Sequence, residues 1–139
     1  MTDPALVAKK LALIESCVSD LHRLAQPEAL ATDVREQRFV EHTLQVAIQA
    51  ALDVASHIVS DRRLGEPRTN RELFDLLQRD AWIEDPLTST LRNMAGFRNV
   101  LVHGYEDVDL AVVRDVLANH LGDLETFVGA VRRRLGSGR

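Results

Sequence analysis

Residues 98–105 place an arginine, an amide, an imidazole and a phenol within eight positions, as Arg98, Asn99, His103 and Tyr105. Histidine has an ordinary pKa of about 6.5, so one imidazole can accept or donate a proton at neutral pH. Arginine can bind a phosphate and stabilise the negative charge that builds on its oxygens in a transition state. Together these residue types suit cleavage of a phosphodiester.

RNA is the phosphodiester that this set could cleave without a metal ion. The ribose 2′-hydroxyl already lies beside the scissile phosphate, so the reaction needs a base and an acid but no activated water. DNA lacks that hydroxyl and would stay intact. The sequence therefore predicts metal-independent RNA cleavage with no cofactor. Arg98 would hold the phosphate, His103 would act as acid or base, and Asn99 would orient the imidazole or a ligand oxygen.

The spacing alone leaves a structural alternative open, in which His103 ends a helix and Arg98 is held in an ion pair. On an unbroken helix these two side chains would point about 140° apart, too far to grip one phosphate. Either the helix loosens near residues 102–104, or each residue meets its counterpart from a second chain across a two-fold axis.

The helix expected to carry the motif shows apolar residues at helical spacing: Leu87, Leu91, Met94 and Leu101. Arg98 falls within about 60° of all four. Since a charge that faces a core is costly unless it is paired, Arg98 is expected to be kept for chemistry. The sequence predicts Asp85 as the cap of this helix and Pro86 as its first residue, and it predicts that the helix ends at Gly104.

The composition favours helices packed on helices. The 139 residues are 45% hydrophobic, 27% charged and only 4% aromatic. Periodicity predicts an all-α, up-and-down bundle of about five helices in one domain spanning 1–139. Four further helices are expected. The first begins with Asp3 as its cap and ends or is interrupted at Gln26 and Pro27, and the second runs from about 32 or 33 to 60. A short third helix is capped by Thr69 or Asn70 and ends before a break at 80–85, and the last covers about 108–135, with a basic tail at 132–139 that frays. That tail could hold RNA, or could be a solvated helix end.

A formal net charge of −4 argues against a general polyanion-binding surface, so any RNA site would be a local basic pocket. Cys17 is the only cysteine, which rules out an internal disulfide. The sequence shows neither a signal peptide nor an apolar run long enough to span a bilayer, so we expect a cytoplasmic protein without membrane contact.

Residues 94–105, followed by Val108 and Asp109, resemble the HepT-like members of the HEPN superfamily. The mark of these proteins is R-x4-H-x-Y with a polar residue, often Asn, directly after the Arg. Arg98, Asn99 and His103 match it position by position, as does Tyr105. Residues 70–77 and the alanine-rich second helix also resemble the family.

The resemblance implies a homodimeric helical ribonuclease toxin, with two motifs facing one cleft, in a type VII-like toxin–antitoxin system. Its partner would be an MNT-type nucleotidyltransferase antitoxin that transfers AMP to the motif tyrosine, here Tyr105. An anionic adduct two residues from His103 would obstruct and repel an RNA phosphate. Two alternatives remain: a non-catalytic helical partner that binds a nucleotide or substrate for a nucleotidyltransferase, and a purely structural dimer partner.

Overall fold

The computed structural model describes residues 3–103 and 108–137, and helices account for most of them. They are α1 (Pro4–Leu24), α2 (Val34–Asp61), α3 (Asn70–Arg79), α4 (Leu87–His103), α5 (Leu110–Asn119) and α6 (Leu121–Ser137), with a 3-10 turn at Pro27–Ala29. No strand occurs in these two ranges. The predicted all-α class is confirmed.

The first two helices form an antiparallel pair. Each begins at a capping aspartate, because the side chains of Asp3, as predicted, and of Asp33 accept hydrogen bonds from amides of the following first turn. The amide of Asp3 donates to Nε2 of His57 at 3.0 Å, and Lys10 binds Asp53 at 3.0 Å. The start of α1 therefore lies against the end of α2.

The central helix is α2, which contacts α1, α3 and α4, while α6 contacts α1 and α4. Glu15 accepts two hydrogen bonds from Arg132, at 2.6 and 2.9 Å, and His22 lies 3.4 Å from Glu125. The numbering of these two pairs runs in opposite directions, so α1 and α6 are also antiparallel. The helices enclose one apolar core, in which buried side chains of α1, α2, α3, α4 and α6 meet.

The sequence predicts one last helix over about 108–135, but the structure divides this stretch into α5 and α6. α5 ends at Asn119 and α6 begins at Leu121, because His120 between them has φ −124° and ψ 0°. The imidazole of His120 bonds Asp115 at 3.1 Å and Asp123 at 2.9 Å, one carboxylate on each side of the break. These bonds hold the two helices together at a bend that the apolar pattern does not show.

The basic segment from Arg132, for which the sequence indicated fraying, is helical as far as Ser137. Arg132 binds Glu15, and Arg134 donates to the carbonyl oxygen of Asp80 at 2.8 Å. The guanidinium of Arg134 also lies 4.6 Å from the ring centroid of Trp82. Intramolecular contacts therefore engage Arg132 and Arg134. In the described ranges, no helix is both long enough and apolar enough to cross a membrane.

Candidate functional site

The candidate site lies on α4, which runs antiparallel to α3. Asp75 of α3 forms an ion pair with Arg92 of α4. One turn further on, the guanidinium of Arg71 lies against Gly96, where an added Cβ would stand 3.1 Å from Cζ and Nε and closer still to Nη2. The order of these two contacts shows that the helices are antiparallel. The α3 helix lies along the face of α4 that carries Gly96.

The start of α4 departs from the expected one by a residue. Asp85 acts as the cap, since its Oδ1 accepts hydrogen bonds from the amide of Ser89 at 2.9 Å and from its hydroxyl at 2.7 Å. The helix itself begins at Leu87 and not at Pro86. From there α4 runs unbroken to His103, which fixes the directions of the motif residues.

Arg98 lies on the buried side of α4, as the apolar pattern predicted. Leu91, Met94 and Leu101 are buried, and Arg98 itself is half-buried. Its Nε is buried and has no hydrogen-bond partner among the residues that the structure describes, and its Nη1 donates to Oδ1 of Asn99 at 3.2 Å. Within residues 3–103 and 108–137 it takes part in no salt bridge, so these residues do not provide the ion pair of the structural alternative.

His103 is the last residue of α4, and its side chain is exposed. Because the helix does not loosen before this residue, Arg98 and His103 project about 140° apart. One chain alone therefore does not direct both side chains at one phosphate. Of the two arrangements that the sequence left open, the helical geometry up to His103 favours the one that uses a second chain.

Asn99 is exposed and bonds Arg98 instead of His103 in this structure. We expected it to face His103, because the two residues are one helical turn apart. Consecutive helical residues diverge by about 100°, but the long arginine side chain curls back to reach the amide. The Nδ2 amide group of Asn99 keeps its two donors, which a ligand oxygen could accept.

Gly104 and Tyr105, the expected end of α4 and the tyrosine of the motif, lie outside the described residues. The next described element is α5, whose cap is Asp109. The carboxylate of Asp109 accepts a hydrogen bond from the amide of Ala111 at 2.9 Å. A capped helix thus begins within a few residues of the motif.

No group of three or more His, Cys, Asp or Glu side chains within the two described ranges is placed to hold a metal ion. Cys17 is buried in α1, and its burial raises the pKa of the thiol, which leaves it protonated at neutral pH. The chemistry available at α4 is thus that of an imidazole, a guanidinium and an amide.

Arg71 is a residue near the site that the sequence did not single out. The sequence signal that could have found it is Gly96, since glycine inside a helix costs about 1 kcal/mol relative to alanine. The close approach of the Arg71 guanidinium explains why a side chain at this position would have to displace its neighbour.

The chain is similar in sequence and in fold to known nucleases and toxins. The sequence model of the "Ribonuclease HepT-like" family matches residues 11–131. An mRNA nuclease HepT from Shewanella oneidensis is 31% identical over 128 residues, which cover 91% of this chain and 96% of the relative. A tRNA nuclease HepT from Aphanizomenon flos-aquae is 29% identical over 109 residues, 77% of this chain and 74% of that one.

Among solved structures, the tri-AMPylated HEPN toxin of Shewanella oneidensis, in complex with an MNT antitoxin, superposes with a TM-score of 0.86. The two chains are 31% identical, and the match covers 96% of this chain and 99% of the toxin. The family predicted from Arg98, Asn99, His103 and Tyr105 is therefore confirmed: this chain belongs to the ribonuclease HepT-like family.

Proposed function

We propose that this protein is a dimeric, metal-independent endoribonuclease toxin whose active site combines Arg98 and His103 of two subunits. The observation that carries the proposal is the unbroken α4, which sends these side chains to different sides of one helix. The buried Nε of Arg98, without a partner among the described residues, supports it. A two-fold axis beside α4 would bring both kinds of side chain into one cleft.

In the proposed reaction, one His103 takes the proton of the ribose 2′-hydroxyl, and the oxygen attacks the adjacent phosphorus. The bond between phosphorus and the 5′-oxygen breaks, and that oxygen takes the proton from the same imidazole, which returns to its neutral form. The products are a 2′,3′-cyclic phosphate and a 5′-hydroxyl. Arg98 stabilises the charge on the phosphoryl oxygens, and Asn99 positions Arg98 through its side-chain oxygen.

The test is cleavage of RNA by the purified protein in EDTA, with the termini of the products identified by mass spectrometry. We expect full activity in EDTA, a 2′,3′-cyclic phosphate, and no cleavage by His103→Ala, which should remain dimeric by light scattering. Loss of activity on chelation, or a fully active His103→Ala, would overturn the mechanism.

We propose further that the protein acts in a toxin–antitoxin pair with an MNT-type nucleotidyltransferase that modifies Tyr105 with AMP. The support is the tri-AMPylated relative, whose structure includes an MNT antitoxin. AMP on Tyr105 would add negative charge and bulk within two residues of His103, where the RNA phosphate must bind. Expression of this chain alone should arrest growth, and co-expression of the nucleotidyltransferase should restore it.

A further inference from the structure

We propose that Arg71 is an RNA-binding residue of the same site, which contacts a backbone phosphate beside the one that is cleaved. This inference rests on the proposed ribonuclease function and extends it from the scissile phosphate to the neighbouring part of the RNA strand. It is argued from the position of the Arg71 side chain, its lack of a carboxylate partner and the face of α4 on which it lies.

The guanidinium of Arg71 lies against α4 at Gly96, although its side chain is exposed. It lies flat enough against α4 that a methyl group at Gly96 would contact three of its atoms within 3.1 Å. An arginine that rests on a helix backbone loses part of its rotamer freedom before any ligand binds. Its charge faces solvent beside Gly96, and the partial loss of rotamer freedom lowers the entropic cost of binding a phosphate.

The positive charge of Arg71 is not neutralised by a carboxylate of the described residues. The carboxylate one turn further along α3, Asp75, is paired with Arg92. Glu72 accepts a hydrogen bond from the amide of Arg68 at 2.8 Å. In the described part of the chain, Arg71 itself takes part in no salt bridge. On a protein with a net charge of −4, such a cation is a local site for an anion.

Gly96 and His103 share one face of α4. They are seven residues apart, which corresponds to about 20° around the helix axis and about 10 Å along it. Arg98 lies about 160° around the helix axis from Gly96, so its side chain projects from the opposite face. Arg71 thus supplies the positive charge on the His103 side, at a distance that suits a flanking phosphate better than the reacting one.

The experiment measures binding separately from cleavage. A fluorescein-labelled single-stranded RNA is titrated with dimeric His103→Ala protein, with and without Arg71→Ala, and the Kd is read by fluorescence anisotropy over a series of salt concentrations. Arg79→Ala is the matched control, because it removes the same charge from the far end of α3. We expect Arg71→Ala to raise the Kd about tenfold and to lower the salt slope by about 0.7, the value for one phosphate contact on a single strand.

A second variant keeps the arginine and moves it. Gly96→Ala fills the space that the guanidinium occupies, and the flexible end of Arg71 must shift. We expect a higher Kd for Gly96→Ala alone, and no further increase when it is added to Arg71→Ala. With His103 restored, both single variants should raise KM for RNA cleavage and leave kcat within about twofold.

The proposal is overturned if Arg71→Ala binds RNA as Arg79→Ala does, if kcat falls while KM is unchanged, or if the variant weakens binding of the antitoxin and not of RNA. A wild-type protein that cleaves RNA while both Arg71 and Gly96 variants behave normally refutes this inference alone. A wild-type protein that neither binds nor cleaves RNA refutes the proposed function as well.

Discussion

Arg98 donates a hydrogen bond from Nη1 to Oδ1 of Asn99 at 3.2 Å, so the two adjacent polar residues of α4 form one unit. Removing the acceptor with Asn99→Ala should lower kcat about two- to tenfold, since an orienting hydrogen bond contributes about 0.5–1.5 kcal/mol. Asn99→Asp keeps the acceptor but adds a charge that competes with the phosphate for Arg98, so its loss should be larger. Steady-state kinetics on one RNA substrate check the order; an Asn99→Asp enzyme as active as wild type would contradict it.

The directions of Arg98 and His103 on α4 predict that two inactive variants complement each other. Arg98→Ala dimers lack the guanidinium and His103→Ala dimers lack the imidazole. A mixed dimer keeps one Arg98 and one His103, on different chains. Co-expression with two affinity tags isolates this heterodimer, whose RNA cleavage should clearly exceed that of either homodimer. An inactive heterodimer with the wild-type fold would show that both residues must come from one chain.

Helix caps were predictable because the capping side chain and the amides that donate to it lie within a few residues of each other in the sequence. The cap at Asp3 is confirmed, and of the two candidates for α3 the cap is Thr69, since each side chain accepts a hydrogen bond from an amide of its own first turn. The break at His120 was not, because the apolar stripe continues from Val116 through Leu121 while the helix bends. The hydrogen bonds of His120 with Asp115 and Asp123 stabilise the bend, and the hydrophobic periodicity of the sequence does not indicate them.

In the candidate site, too, the sequence predicted some features and missed another. The partial burial of Arg98 followed from its place among apolar residues, and its angle of about 140° to His103 followed from the helix geometry. The contact between Arg71 and Gly96 joins two helices, and its position depends on how α3 packs against α4. A sequence pattern gives each helix a buried face but not the register between helices, so this contact required the structure.

Tyr105→Phe separates catalysis from its control. The proposed reaction uses no phenol, so the variant should cleave RNA with a kcat close to that of wild type. It cannot accept AMP, because the acceptor oxygen is missing. Co-expressed nucleotidyltransferase should therefore rescue growth from the wild-type toxin but not from Tyr105→Phe, and intact mass should show AMP only on the wild type. Rescue together with an AMP adduct on the variant would place the modification elsewhere.

Glu41 of α2 is buried, and its Oε1 has no hydrogen-bond partner among the described residues. Burial raises the pKa of this carboxyl, and the guanidinium of Arg38, 4.0 Å away, offsets only part of that effect. Folding therefore favours the protonated form, and stability is lost as the pH rises above the ordinary value of 4.5. Glu41→Gln should raise the free energy of unfolding by about 1 kcal/mol at neutral pH in urea titrations.

Glu15 is the matched control, because the hydrogen bonds from Arg132 lower the pKa of its carboxyl. Its contribution is present above pH 4.5 and is lost as the pH falls, so Glu15→Gln should destabilise the protein at neutral pH. Opposite signs for the two substitutions would confirm both assignments. A destabilised Glu41→Gln would mean that the buried carboxylate has a favourable partner in the native state.

His120 predicts a pH dependence at the bend between α5 and α6. The hydrogen bond with Asp123, and then the charge of Asp115, raise the pKa of this imidazole above 6.5. A raised pKa means that the protonated form stabilises the fold: the contribution is full below the unfolded value and is lost as the pH rises through the folded one. The difference in unfolding free energy between wild type and His120→Gln should therefore be largest just below pH 6.5 and shrink above it. The other four of the five histidines are present in both proteins, so the difference reports on His120. Asp123→Asn, which removes the largest cause of the shift, should flatten the profile. A difference that grows with pH would show that the neutral imidazole holds the bend.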